Sequence, residues 1–150
     1  MQAAIAEAQA GLGAGDGGPF GAVVVRDGVV VARGHNQVVA LNDPSAHAEV
    51  QAIRAACRAL GTFDLSGCEI YATCEPCPMC FAAIHWARLD RVVFGAARAD
   101  AAAVGFDDAA IYDVLAGTRA PAFAVLGEVE TGACRSLMER WRDDEGRIPY

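Results

Sequence analysis

His47-Ala48-Glu49 and, about thirty residues later, Pro76-Cys77-Pro78-Met79-Cys80 contain the residue types that bind zinc and move protons. Histidine and cysteine are ligands that zinc prefers, and Cys77 with Cys80, three apart at the start of a helix, present both sulfurs on one face of its first turn. Together with His47 they make three protein ligands for one zinc per chain. The fourth tetrahedral position is left to water, which is the arrangement of a catalytic site rather than a structural one. The positive ends of two helix dipoles would also favour the thiolates.

Glu49 requires a geometrical condition. Residues i and i+2 of a continuous helix point about 200° apart, so His47 and Glu49 can meet only if regular helix begins within a residue or so of His47. Both side chains then splay beyond the helix end, and Glu49 can exchange protons between water and a substrate. Two other uses of the sulfurs compete with this one. Cys74 could close the site into a structural Cys3His centre, or pair with Cys77 in a redox motif; the first places Cys74 outside the shared helical turn, and the second leaves His47 and Glu49 without roles. Cys57, Cys68 and Cys134 read as small hydrophobes, His85 as a helix-surface or packing residue, and His35 as a supporting or surface group.

The elements that must position these groups follow from periodicity and turn chemistry. An alanine-rich helical segment opens the chain and runs into the glycine-rich stretch 11–18. Gly13-x-Gly15-x-x-Gly18 matches a dinucleotide fingerprint by pattern, but it follows a helix and precedes a strand, so it reads as a loop. Residues 21–26 and 29–33 flank Asp27-Gly28, a β-hairpin signal. Val50, Ile53, Cys57 and Leu60 mark an amphipathic helix that starts near Asp43-Pro44-Ser45 and ends at Gly61. Strands are predicted at 69–73, 91–94 and 122–127, and helices at 78–88, 108–115 and 134–143. This is an α/β pattern with helices layered on a sheet.

The 150 residues suit a single domain, 1–150. Hydrophobic residues at 54% and charged residues at 21% provide ample core and exclude disorder. All twelve basic residues are arginine, which excludes Schiff-base lysine and P-loop chemistry. A net charge of -7 disfavours a nucleic-acid partner, since Arg135, Arg140, Arg142 and Arg147 are interleaved with Glu139, Asp143, Asp144 and Glu145. The first ten residues have no basic cluster, and no run of about eighteen apolar residues occurs. The expectation is a cytoplasmic protein without a membrane partner, its cysteines reduced or metal-bound.

His-x-Glu followed by Pro-Cys-x-x-Cys is a signature of zinc-dependent nucleobase deaminases. With Gly17-Gly-Pro-Phe-Gly-Ala-Val23, Asn42-Asp-Pro44, Cys74-Glu-Pro-Cys-Pro-Met-Cys80, Trp86-Ala-Arg88, Gly105-Phe-Asp-Asp108, Ile111-Tyr112 and the terminal Tyr150, the chain resembles the cytidine-deaminase superfamily and, within it, the bacterial guanine deaminases. The resemblance runs over nearly the whole length. It implies a three-layer α/β/α fold with a five-stranded mixed sheet, a homodimer with a swapped C-terminal segment, and hydrolysis of guanine, a small purine base, to xanthine and ammonia. By the same resemblance Asn36 would bind the purine edge, Phe20 and Trp86 would line the pocket, Asp108 would be a second proton shuttle, and Tyr150 would cap the neighbouring site. Each has a plainer alternative: Phe20 and Trp86 as core, Asn36 as a turn residue, Asp107 and Asp108 as a helix cap pair. Alternative activities are deamination of tRNA adenosine, guanosine, ammeline or cytosine. A zinc-stabilised binding domain explains the metal but gives Glu49 nothing to do.

Overall fold

The computed structural model describes residues 1–149. Its elements are α1 (Gln2–Ala14), β1 (Gly21–Arg26), β2 (Val29–His35), α2 (Val38–Leu41), α3 (Ala48–Leu60), β3 (Cys68–Cys74), α4 (Pro78–Trp86), β4 (Arg91–Ala96), α5 (Arg98–Ala103), α6 (Ala109–Leu115) and α7 (Thr131–Asp143). Asp27 and Gly28 adopt φ of 51° and 76°, the left-handed pair that a tight hairpin turn demands, and β1 and β2 pair antiparallel. β3 pairs antiparallel with the other edge of β1 and parallel with β4, so the order is β2-β1-β3-β4 in a mixed sheet. The parallel step needs a crossover, and α4 supplies it.

Strand alternation assigns the faces. Ala22, Val24 and Ala32 point to the side covered by α3 and α4, where Ala52, Ala56, Ile70 and Ile84 complete a buried cluster. Gly21 turns to the opposite side, where a Cβ would strike the α1 backbone at Ala4 and Ala8. Helices therefore cover both faces, giving the expected three layers. On the α3 side, Gly34 has the same role: a Cβ there would collide with the Ala48 carbonyl and Ala52 amide. The missing side chain seats the first turn of α3 directly on β2, which fixes where His47 stands.

Three expectations need correction. The sheet has four strands among the described residues, not five. The segment 122–127 contains no regular element and joins no strand of the sheet, and Leu126 is 87% exposed. Secondly, α3 begins at Ala48 rather than near Asp43. The capping residues there form a separate turn, with Ser45 donating both its amide and hydroxyl to Asp43 Oδ1 at 2.8 and 2.7 Å. Thirdly, the short helices α2 and α5 were not anticipated. The glycine-rich stretch is the α1 end plus a loop, closed by Gly15 at φ 75°. No helix among the described residues is long and apolar enough to cross a membrane.

Candidate metal centre and active site

His47 is the residue immediately before α3 and Cys77 the residue immediately before α4, both extended, at ψ 155° and 167°. Neither side chain caps its helix. Each is instead directed off the helix end, Pro78 occupies the first turn of α4 where a missing N–H does no harm, and Cys80 follows within that turn. The two helix ends meet: His47 Nδ1 lies 3.6 Å from Cys77 Sγ and 3.5 Å from Cys80 Sγ. Nitrogen and sulfur ligands at ordinary zinc distances on a tetrahedral centre are about 3.6 Å apart, so the donor set fits zinc in type, number and spacing. His47, Cys77 and Cys80 form the sole cluster of this kind among the described residues.

Glu49 sits in the first turn of α3, 7% exposed, with Oε2 accepting from Cys80 Sγ at 3.4 Å. Helix onset at Ala48 thus meets the condition set by the His-x-Glu spacing. Burial pushes the Glu49 carboxyl above its ordinary value, so it can hold a proton as well as release one. The thiols divide a single proton between them. The hydrogen bond from Cys80, aided by that from His47, holds Cys77 down to about 4, while Cys77, burial and Glu49 all push Cys80 up. A divalent cation between them removes that asymmetry by favouring both thiolates.

Cys74 is buried at the end of β3, its sulfur 3.9 Å from the Ala97 carbonyl, and it is outside the metal cluster. Cys74→Ser is therefore expected to retain one zinc per chain by metal analysis. Loss of zinc from that variant would show a closed four-ligand site.

A cavity of about 630 Å³ opens over His47, Glu49 and Cys77, and Phe20, Asn36 and Asp108 also line it. The structure separates roles that sequence left open for two of these. Asn36 is 5% exposed, and its Oδ1 accepts from the amides of Gly18 at 3.1 Å and Val38 at 3.3 Å. With the carbonyl oxygen so committed, the amide NH2 is the end left to face a ligand. Of the two aspartates before α6, Asp108 holds the N-cap position, but it is the Asp107 side chain that accepts from the Ala109 amide, at 2.9 Å. The Asp108 side chain makes no capping hydrogen bond. Burial and then the nearby Cys77 charge raise its carboxyl above the ordinary range.

Phe20 packs edge-to-face on Phe106 with ring centroids 4.9 Å apart. Trp86 ends α4, is 65% exposed and is not among the cavity residues of its own chain. Tyr150 lies outside the described residues. Sequence reasoning missed Phe106, Arg98 and Glu75 as cavity residues. Phe106 was signalled by its place beside the aspartate pair. Arg98 belongs to an unanticipated helix, where its amide donates to Glu75 Oε2 at 3.0 Å and its guanidinium lies 4.4 Å above the Tyr112 ring.

Residues 1–96 match the family described as the cytidine and deoxycytidylate deaminase zinc-binding region. A guanine deaminase of Bacillus subtilis is 54% identical over 112 residues, 75% of this chain and 72% of that protein. The crystal structure of a guanine deaminase from the same species superposes with a TM-score of 0.89 at 44% identity, covering 99% of this chain and 95% of that one. A tRNA-specific adenosine deaminase of Aquifex aeolicus is 49% identical, but over 78 residues, 52% of each protein.

Proposed function

Because the chain belongs to the cytidine and deoxycytidylate deaminase zinc-binding family, we propose that it is a zinc-dependent hydrolase of guanine, releasing xanthine and ammonia. The observation that carries this is the superposition on a guanine deaminase over 99% of the chain, C-terminal segment included, whereas a tRNA:A34 deaminase structure superposes over 65%. The zinc held by His47, Cys77 and Cys80 supplies the Lewis acidity that makes water a usable nucleophile near neutral pH.

The residues divide the remaining work. The Asn36 NH2 donates to an acceptor on the purine edge, and Phe20 with Phe106 provides an apolar wall for the ring. As the water oxygen bonds to the purine C2, Glu49 takes one of its protons and delivers it to the neighbouring ring nitrogen. Asp108 passes the remaining hydroxyl proton to the amino group, the C2–N bond breaks, and ammonia leaves behind a C2 carbonyl. Asp108→Asn is accordingly expected to lower kcat by about 10² or more with guanine affinity little changed. Unchanged turnover there would leave Asp108 without a catalytic role.

The same reading covers assembly and extent. No described residue after Ala87 is buried, and Leu115, Phe123, Val125, Leu126, Val129, Met138 and Ile148 expose apolar side chains. We propose a single deaminase domain over 1–150 that works in the cytoplasm as a homodimer. Its C-terminal segment crosses to the second copy, where 122–127 can find a strand edge and Trp86 and Tyr150 can reach an active site. Guanine should be preferred over guanosine, adenine, cytosine and ammeline when purified protein is assayed for ammonia. Faster release from any of the other four would reassign the substrate.

A further inference from the structure

His35 has no place in the chemistry above, yet each of its ring nitrogens faces a carboxylate. At the end of β2 it turns away from α3 toward α1, where its ring lies on Gly11; a Cβ on Gly11 would strike it. Its Nε2 is 2.8 Å from Asp16 Oδ2 and its Nδ1 is 3.3 Å from Glu7 Oε2, with all three side chains about four-fifths buried. A neutral imidazole has one N–H and one lone pair, so it can donate to only one of two carboxylates. Only the imidazolium satisfies both.

Asp16 connects this cluster to the cavity. Its carbonyl accepts from the amides of Val39 at 3.1 Å and Ala40 at 3.0 Å, and its own amide is tied to the Gly11 carbonyl. The next residues, Gly17 and Gly18, line the cavity, where Gly18 donates to the Asn36 side chain. Asn36 directly follows His35. We propose that His35, as an imidazolium clamped between Glu7 and Asp16, is a positioning residue that holds the Asp16–Gly18 wall against Asn36 and so sets how tightly the cavity binds its purine. The last clause rests on the guanine reading; the holding of the wall does not.

The charges facing His35 are Glu7 from α1 and Asp16 from the following loop. β1 presents Gly21 and Val23, and on β2 the exposed Arg33 lies two residues away on the same face. Burial works against the imidazolium, but the hydrogen bonds to Asp16 and Glu7 outweigh it, and His35 titrates above its ordinary value. The clamp is thus complete at lower pH and is lost as pH rises through that raised value, the longer Glu7 contact being the first to go.

The test uses full-length, zinc-loaded protein, wild type and His35→Leu, from about pH 6 to about pH 9. Amide exchange is expressed as protection, and KM as the variant-to-wild-type ratio at each pH, which cancels ionisation of guanine itself. At the acid end, the variant is expected to lose about tenfold in protection at Gly18, Val39 and Ala40. Its KM for guanine should rise about tenfold with kcat within about twofold, the scale of one charge-assisted hydrogen bond. Both ratios should shrink at the alkaline end, where the wild-type imidazole, now neutral, keeps only one of its two carboxylate contacts. Unchanged protection at these three amides overturns the proposal whatever the substrate, and lost protection with unchanged KM overturns the positioning role. Absence of wild-type turnover instead sinks the guanine reading and leaves exchange to decide on His35. Should the variant fail to fold, wild-type protection that stays flat across the range is the overturning result.

Discussion

Glu49→Ala is expected to lower guanine turnover by about 10²–10⁴ while fold and zinc content are retained, the usual cost of deleting a positioned acid/base group. The expectation rests on separation of roles within one helical turn. His47 faces the thiols with Nδ1, whereas Glu49 contributes a carboxylate beside Cys80 and is not in the cluster that can hold the metal. Glu49 is buried beside that cluster. Glu49→Gln should keep the packing and lose the proton transfer, so a similar deficit in both variants assigns the loss to chemistry rather than to a cavity. Near wild-type rates in either variant would remove this residue from the reaction, and loss of zinc would make it a ligand.

The second large effect concerns the chain end. Removing Ile148, Pro149 and Tyr150 is expected to leave zinc intact and to lower catalytic efficiency by about 10², the scale on which a misplaced or open site loses rate. α7 shares no substantial packing with the sandwich of its own chain, and Leu137, Met138 and Trp141 are exposed along it. Such a segment stabilises little unless a second copy covers it. Mixing the truncated chain with full-length Glu49→Ala chains should then restore about half of wild-type activity per heterodimer, because the intact tail caps the partner's working site. Full activity of the truncated chain alone would make the tail dispensable. Failure to recover in proven heterodimers would put the tail over its own site.

What was legible in the sequence was chemistry carried by spacing. Cys77 and Cys80 at i, i+3, His47 at a helix start and Glu49 two residues on constrain one another so tightly that only one local geometry serves all four, and the helices begin where that geometry requires. Asp-Gly likewise determined the hairpin, because few dipeptides adopt two consecutive left-handed residues. What escaped was set by partners distant in sequence. Nothing local shows that Asn36 spends its carbonyl on Gly18 as well as Val38, or that Asp107 rather than Asp108 bonds the first amide of α6. The segment 122–127 has the composition of a strand but pairs with no strand among the described residues, so propensity alone overstated the sheet. Asp43-Pro44-Ser45 misled in the opposite way: a side-chain turn uses the same residue types as a helix cap.

The measurement that bears most directly on the function is a side-by-side assay of one zinc-loaded preparation on guanine and on a tRNA anticodon arm containing adenosine. Both reactions release ammonia, so the products, xanthine and inosine, are identified by mass. A net charge of -7, no lysine and a C-terminal helix whose arginines alternate with carboxylates all work against holding a polyanion. Xanthine is expected to accumulate in step with ammonia, with inosine negligible. Efficient inosine formation without xanthine would contradict the assignment and move the chain to the tRNA deaminases.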